Sequence, residues 1–311
     1  MPAAIPLGLC PFQTTATRGL TVFNPVTRSM QALSFLPLRV LRWLGWLSGY
    51  VFYRVSARRR NVVLTNLRLC FKELNEHQLR ALAKAHFVLL GQSLWDRAWL
   101  WHAPEQVLNQ RIHFSGDFDV FKDGGPLIVL APHFVGLDAG GVAMTWLKQI
   151  PMACVYVPLR NKYVEEWMMQ GRNRSGRVRS VARIEGATPL LQILRDGMRL
   201  HYSPDMDFGM QGAMWSDFFG VAAATTNSLP RLVKLSRARI CTLVTRLTPD
   251  GYSIEIGPLW PDYPQGDLQA DTDAMNKHIE ARVLESPAQY YWVHKRFKTR
   301  PPGQPELYRW Q

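Results

Sequence analysis

The stretch Gly124-Gly-Pro-Leu-Ile-Val-Leu-Ala-Pro-His-Phe-Val-Gly-Leu-Asp138 decides the fold of this 311-residue chain. A glycine turn opens it, and the apolar run that ends at Ala131 is typical of a strand buried on both faces. Leu137 to Leu147 has helical periodicity, with small residues that allow close packing. A buried strand followed at once by a helix is the repeating unit of α/β domains.

The same alternation continues on both sides of this stretch. Strands are predicted at Met152–Pro158 and Arg199–Ser203, and a hairpin joins Ile240–Arg246 to Tyr252–Ile256 across a Pro-Asp-Gly turn. Apolar residues at helical spacing predict helices at Asn61–Leu69, Gln78–Trp101, Val164–Gln170, Thr188–Asp196, Thr226–Ser236 and Asp271–Leu284. The sequence therefore predicts an α/β fold with a mixed sheet flanked by helices.

The N-terminal region is predicted to hold a membrane anchor. Residues 1–30 lack periodicity and a basic start, so a disordered tail is expected there, unless Met30 is the true start. Residues 31–57 include the ~20 residues needed to cross a bilayer core and are predicted to form an anchor helix. The remaining residues, 58–311, are predicted to form one domain.

Charged residues bear on how this anchor sits. Arg39 and Arg42 share a helical face and are expected to reach toward headgroups. The run Arg58-Arg59-Arg60 places the following domain in the cytoplasm by the positive-inside tendency. A helix lying in the membrane interface and a buried core helix remain alternatives.

Composition limits the partners and the chemistry. Hydrophobic residues make up 47% of the chain and charged residues 20%, which is an ordinary globular balance. The net charge of +13 suits anionic lipid or an acidic protein, while no nucleic-acid-binding motif is present. The four cysteines are far apart, so neither a disulfide framework nor a zinc site is expected.

The candidate catalytic residues are His133 and Asp138. His133 follows a buried strand, and Asp138 lies in the first turn of the next helix, where the chain can fold back on itself. A carboxylate that orients an imidazole lets it accept the proton of an attacking alcohol, which is general-base catalysis. The spacing alone is weak, because a loop histidine bonded to a helix-capping aspartate would look the same.

Several ordered motifs carry a resemblance to a known family. From about Met30 to Tyr308 the chain resembles the late acyltransferases of lipid A biosynthesis, the lauroyl and myristoyl transferases of Gram-negative bacteria. The motifs are Pro132-His-Phe-Val-Gly-Leu-Asp138, Gly171-Arg-Asn-Arg174, Tyr202-Ser-Pro-Asp-Met-Asp-Phe-Gly209, Phe218-Phe-Gly220, Ala224-Thr-Thr226 and Pro287-Ala-Gln-Tyr-Tyr-Trp-Val-His-Lys-Arg-Phe-Lys-Thr-Arg-Pro301.

The resemblance implies a glycerolphosphate-acyltransferase-like fold anchored in the inner membrane and facing the cytoplasm. It implies acyl carrier protein thioesters as donors, no cofactor, and a Kdo-bearing lipid A precursor acylated on a hydroxyacyl hydroxyl. His133 and Asp138 match the family's histidine and acidic partner, and Arg172 or Arg174 its downstream basic residue. An acceptor of another class, a glycerophospholipid or another glycolipid, is the alternative.

One departure concerns the arginines. Many members have Tyr-Arg-Pro after the second strand, whereas this chain has Tyr156-Val-Pro158 and then Arg160. Arg172, Arg174 and Arg160 are therefore all candidates for substrate phosphate or for the oxyanion.

Other polar residues have more ordinary interpretations. Asp205 and Asp207 are expected to order their loop, with Asp205 grouped among the substrate-binding residues and no metal expected. His201 and His294 are expected to be structural. The basic segment Lys295–Arg300 is either a solvated tail or a docking face for the acidic carrier protein.

Overall fold

The computed structural model describes residues 23–308, and an α/β body forms its centre. The strands are β1 (Ile112–Gly116), β2 (Leu127–Leu130), β3 (Met152–Tyr156), β4 (Val178–Ala182), β5 (Arg199–Tyr202), β6 (Ala213–Phe218), β7 (Val221–Thr226), β8 (Arg239–Thr248) and β9 (Gly251–Ile256). Seven of them form one sheet in the order β1-β9-β8-β2-β5-β3-β4, and β6 and β7 form a separate antiparallel pair.

The large sheet is mixed, as predicted. Strands β8, β2, β5, β3 and β4 are mutually parallel, whereas β9 runs antiparallel to β8 and parallel to β1. The helices are α1 (Pro25–Leu33), α2 (Leu38–Val55), α3 (Ala57–Cys70), α4 (Glu76–His102), α5 (Glu105–Arg111), α6 (Leu137–Val142), α7 (Lys162–Arg172), α8 (Thr188–Arg195), α9 (Ser228–Ser236) and α10 (Leu268–Glu285).

Each face of the sheet is covered by its own hydrophobic core. In β2, Leu127 and Val129 face a core shared with α5, α6 and α7, whereas Ile128 and Leu130 face a core shared with α3, α8, α9 and α10. All four side chains are fully buried. This explains why β2 is apolar at every position, because both of its faces are covered.

The structure confirms the main predicted elements. The hairpin of β8 and β9 forms. Asn75 caps α4 in a capping box, in which its side chain accepts from the N–H of Gln78 and its own N–H donates to Gln78 Oε1. Strands β1 and β4 and the pair β6–β7 were not predicted. β4 is an edge strand carrying the exposed Arg179, and its polar residues hide the strand pattern.

The N-terminal prediction needs correction. Residues 1–22 lie outside the described part, but residues 25–30 belong to α1 instead of a disordered tail. The expected anchor over residues 31–57 is not one continuous helix. Helix α1 ends at Leu33, and α2 begins after Pro37. Within residues 23–308, no helix combines the length and the hydropathy that crossing a bilayer demands.

Arg42 also lies elsewhere than expected. Its guanidinium is buried and donates to Asp96 on α4 at 2.9 Å and to the carbonyls of Thr248 and Gly251 at 3.0 Å each. It therefore joins α2 to α4 and to the β8–β9 turn instead of reaching toward lipid headgroups.

Glycines bring α2 and α4 into backbone contact. A Cβ on Gly91 would lie 2.3 Å from the carbonyl oxygen of Gly45, and one on Gly49 would lie 2.3 Å from the carbonyl oxygen of Phe87. Real Cβ atoms do not approach backbone this closely, so the two helices can pack at this distance only with glycine at these positions.

We expect Gly91→Ala to lower the free energy of unfolding by about 1–3 kcal/mol, because the methyl group would force α2 and α4 apart. A loss of stability would identify the close contact as its cause, since alanine normally stabilises a helix interior by about 1 kcal/mol relative to glycine. Urea unfolding measures the change.

Gly141→Ala in α6 is the matched control, because a Cβ there meets nothing within 4 Å. It should leave stability unchanged or raise it. Equal effects of the two substitutions would show that the contact between α2 and α4 is not limiting.

Candidate active site

Two loops at the same edge of the sheet build the centre of the site. His133 lies three residues after Leu130 in β2, and Asp205 lies three residues after Tyr202 in β5. Leu130 and Tyr202 are register partners in these neighbouring parallel strands. The two loops therefore leave the sheet side by side, which brings the imidazole and the carboxylate together.

Asp205 holds His133 at two points. One carboxylate oxygen accepts from the backbone N–H of His133 at 2.8 Å, and the other is 2.6 Å from ring atom Nδ1. Burial alone would raise the pKa of Asp205, but the charge and hydrogen bonds of His133 prevail and lower it to about 2. The ionised carboxylate thus fixes Nδ1 as the protonated nitrogen, and Nε2 has no hydrogen-bond partner among residues 23–308.

This arrangement corrects the predicted partner of the histidine. Asp138 does not bond His133. One of its oxygens accepts from Arg172 Nε of α7 at 2.8 Å, and the other accepts from Arg97 of α4, with Nη2 at 2.7 Å. The physical reason is the position of Asp138 on α6, a helix that packs between α4 and α7 and faces their arginines.

The Asp138 carboxylate lies deep between these two cations. Burial opposes its ionisation, yet the charges of Arg172 and Arg97 hold its pKa well below the usual range. Arg97 was not singled out from the sequence, because it lies near the C-terminal end of the long helix α4 with no motif around it. The three side chains tie α4, α6 and α7 together beside His133.

The C-terminal motif clamps the loop that carries His133. The N–H of Tyr291 donates to the carbonyl of His133 at 2.8 Å, and the N–H of Val135 donates to the carbonyl of Gln289 at 2.8 Å. The centroids of the Tyr291 and His133 rings lie 6.3 Å apart. The last of the quoted motifs, residues 287–301, therefore acts by positioning the histidine.

The same segment orders the Asp205 loop. The N–H of Asp207 donates to His294 Nε2 at 2.9 Å, and Asp207 accepts from the N–H of Thr299 at 2.6 Å. Burial lowers the pKa of His294 to about 4, which keeps Nε2 an acceptor. The expectations that Asp207 orders its loop and that His294 is structural are confirmed.

The three candidate arginines separate in the structure. Arg172 lines the cleft in front of His133. Arg174 instead donates to the carbonyls of Leu100 and Ala103 at 2.6 and 2.8 Å, so it caps the end of α4 and is not available to a substrate. Arg160 is exposed on the loop after β3 and does not line the cleft. Asp205, also grouped with the substrate-binding residues, is only 1% exposed and contacts His133.

The basic C-terminal segment is not simply a solvated tail. Arg296 is 2% exposed and donates to the carbonyl of Ala224 at 3.0 Å and to Thr225 Oγ1 at 2.8 Å. Arg300 donates to the carbonyl of Ala222 at 2.8 Å. Two of the four cations expected at the surface therefore tie the C-terminal segment to β7.

A cleft of about 430 Å³ opens in front of His133. Arg97, Asp138 and Arg172 lie on its wall with His201, whose Nε2 is buried without a hydrogen-bond partner in residues 23–308. Burial, then the nearby His133 and Arg172, lower the pKa of His201 to about 4, so this ring is neutral. The rest of the wall is mainly apolar and includes Leu90, Val142, Met152, Met168 and Val178.

No group of three or more metal-ligating side chains occurs among residues 23–308. Asp205 and Asp207 are the carboxylates with the closest spacing. Asp205 bonds His133, and Asp207 accepts from the hydroxyl of Thr299. The site thus offers a histidine with one free ring nitrogen, a cationic wall and an apolar cleft.

Comparison with known proteins identifies the class of protein to which this site belongs. The model of the bacterial lipid A biosynthesis acyltransferases matches residues 20–299, and the chain belongs to this family. It is an acyltransferase of lipid A biosynthesis, which confirms the resemblance seen in the motifs.

Curated relatives give the same result. The chain is 32% identical over 280 residues to the lipid A biosynthesis palmitoleoyltransferase of Escherichia coli, covering 88% of this chain and 90% of that protein. It is 31% identical to the lauroyltransferase of the same organism, over 88% of this chain and 90% of that one. With the E. coli myristoyltransferase it shares 30% identity over 87% and 83% of the two chains.

We expect Asp205→Asn to lower the rate constant of acyl transfer by about 10²–10⁴-fold. An amide can accept from only one of the two donors of His133, and its own NH₂ would face the other. The ring would lose its fixed tautomer, so kcat should fall more than KM rises. The test compares kcat and KM of the variant with those of Asp196→Asn, an exposed carboxylate that should behave as wild type. A change confined to KM would contradict the positioning role.

Asp138→Asn should lower the free energy of unfolding at neutral pH by about 3–5 kcal/mol, since two arginines would lose their buried counter-charge. The folded-state pKa of Asp138 lies below the unfolded value of about 4, so its ionisation stabilises the fold above about pH 4. That contribution disappears as the pH falls through the folded-state pKa.

Wild-type stability should therefore drop steeply below about pH 4, and the drop should be shallower in Asp138→Asn. Chemical unfolding at a series of pH values measures both slopes. Parallel curves for the two proteins would show that Asp138 does not carry this part of the acid sensitivity.

Proposed function

We propose that this protein transfers a fatty acyl chain from an acyl carrier protein thioester to a hydroxyacyl hydroxyl of a Kdo-bearing lipid A precursor. The observation that carries the proposal is the Asp205-oriented His133 at the head of an apolar cleft, in a chain of this family. No cofactor takes part in the proposed reaction.

His133 is the proposed general base. Its Nε2 takes the proton of the acceptor hydroxyl as the oxygen attacks the thioester carbonyl, while Asp205 stabilises the imidazolium through Nδ1. A C–O bond forms and the C–S bond breaks. The proton then passes from His133 to the departing thiolate of the carrier's prosthetic group, so no covalent acyl-enzyme is needed.

Arg172 and Arg97 are the proposed electrophilic groups. Both line the cleft near His133, and their shared bond to Asp138 fixes their positions before substrate binds. Fixed cations stabilise negative charge that develops on the thioester oxygen, or hold an acceptor phosphate, without reorganising during the reaction. Asp138 thus acts by positioning these arginines and not as the partner of the base.

The apolar wall is the proposed site of the fatty acyl chain. Val142, Met152 and Met168 line it, and the flexible thioether side chains adapt to chains of different shape. The carrier protein is acidic in this proposal, and a chain with a net charge of +13 would attract it.

The exposed side of α2 is the proposed attachment to the inner membrane. Trp43, Trp46 and Val51 are 57%, 43% and 45% exposed, and Leu47 lies beside them. Tryptophan on an amphipathic helix favours the boundary between headgroups and acyl chains, so α2 would lie in the plane of the cytoplasmic leaflet.

We expect His133→Ala to abolish acyl transfer from acyl carrier protein to a purified lipid A precursor, because the proposed acceptor of the hydroxyl proton is then missing. The assay follows the mass of the lipid product, and near-wild-type stability of the variant shows that it is folded. His113→Ala is the control, since His113 is exposed and Asp250 is its one side-chain partner among residues 23–308.

Near-normal turnover by His133→Ala would contradict the proposed base. The acceptor is tested separately, by mass spectrometry of lipid A from cells that lack the gene. An unchanged number of acyl chains on lipid A, with an altered glycerophospholipid or glycolipid, would favour the other acceptor class.

A further inference from the structure

Exposed apolar side chains surround the mouth of the cleft. Val157 and Leu159 follow β3, and Phe208 follows β5. They line the cleft, yet they are 54%, 42% and 43% exposed, so they form its outer edge. Water-exposed apolar groups that are grouped in this way mark a surface for a partner.

Neighbouring residues extend this edge outward. Ile184, which follows β4, is 93% exposed, and Met210 is 40% exposed. Arg183 joins the two loops, because its guanidinium lies 4.1 Å from the centre of the Phe208 ring. We call Val157, Leu159, Ile184, Phe208 and Met210 the mouth rim.

Cations are interleaved with the mouth rim. Arg160, Lys162 and Arg183 are exposed and have no ion pair among residues 23–308. Acidic residues occur in the same loops, but Glu165 accepts from the N–H of Leu159, and Glu185 accepts from that of Ala182. The cations therefore remain free to meet an external anion, whereas these carboxylates are held by the backbone.

We propose that the mouth rim enters the headgroup layer of an anionic bilayer, so that the cleft opens directly into the lipid phase. The apolar side chains reach the acyl boundary, and the three cations meet lipid phosphates. This contact is separate from the α2 surface. It deepens and rests on the proposed function, because a lipid acceptor would then reach His133 without crossing water.

The composition of the rim favours a lipid surface over an acidic protein. Charge steers the approach of an acidic protein, and the three cations would be enough for that. Leaving Ile184 93% exposed in water has a cost that contact with acyl chains removes. Several side chains of this kind around one opening match a bilayer, which is apolar just beneath its charged surface.

The test compares two single substitutions in the full chain. Ile184→Glu changes the rim at a residue that does not line the cleft. Leu235→Glu is the matched control, because Leu235 is 64% exposed at the end of α9, just before β8 begins, and therefore at the opposite edge of the sheet. The probe is a vesicle of phosphatidylethanolamine and phosphatidylglycerol, and cosedimentation measures binding.

Ile184→Glu should bind these vesicles about tenfold more weakly than wild type, and Leu235→Glu should bind like wild type. Acyl transfer to acceptor embedded in the vesicles should fall in parallel. Transfer to acceptor dispersed in detergent should stay within about twofold of wild type, because the catalytic groups are unchanged.

Equal vesicle binding by the two variants would overturn the proposal. So would unchanged vesicle binding with a raised KM for acyl carrier protein, which would make the rim a protein-docking surface. Vesicle binding does not require turnover. If wild type binds vesicles through the rim but acylates no lipid A precursor, then the proposed function fails and the rim contact stands.

Discussion

The paired hydrogen bonds between Asp205 and His133 are the interaction on which the site depends. They join the loops after β2 and β5, and they fix both the backbone and the ring of the histidine. Other parts of the chain support this bond. Tyr291 holds the carbonyl of His133, and His294 with Thr299 holds Asp207, so the C-terminal segment secures both loops from the same side. Asn66 of α3 in turn holds this segment, because its side-chain amide donates to the carbonyls of Trp292 and His294 at 2.8 Å each.

The sequence predicts the histidine but not its partner, and strand order explains the difference. His133 stands out because a buried strand precedes it, and local pattern is enough for that. Asp205 is 72 positions further along the chain. Its place beside His133 follows only from β2 and β5 being adjacent and in register, which no local pattern contains. Asp138 is close in sequence, but the helix that carries it turns its carboxylate toward Arg97 and Arg172.

The burial of the arginines is also hidden from local sequence patterns, which show that these residues are charged but not how deeply they lie in the fold. Arg42, Arg174 and Arg296 look like surface or substrate-facing cations in the sequence, yet each donates to backbone carbonyls inside the fold. Arginine suits this use, since its planar group satisfies several acceptors at once and remains charged when buried. Net charge therefore overstates how many cations face a partner. Arg172 was predicted to lie in the site and does line the cleft, whereas Arg174, two residues further on, does not.

The tryptophans likewise differ in burial, and the burial of each one decides its role. Among residues 23–308, Trp99, Trp101, Trp167 and Trp292 are buried core residues, whereas Trp43 and Trp46 are exposed on α2. Helix α2 has two unlike sides. One side carries the glycines and the buried Arg42 that bind it to α4. The other carries the exposed tryptophans, so the same residue type fills the core in α4 and is left at the surface of α2 for the proposed membrane contact.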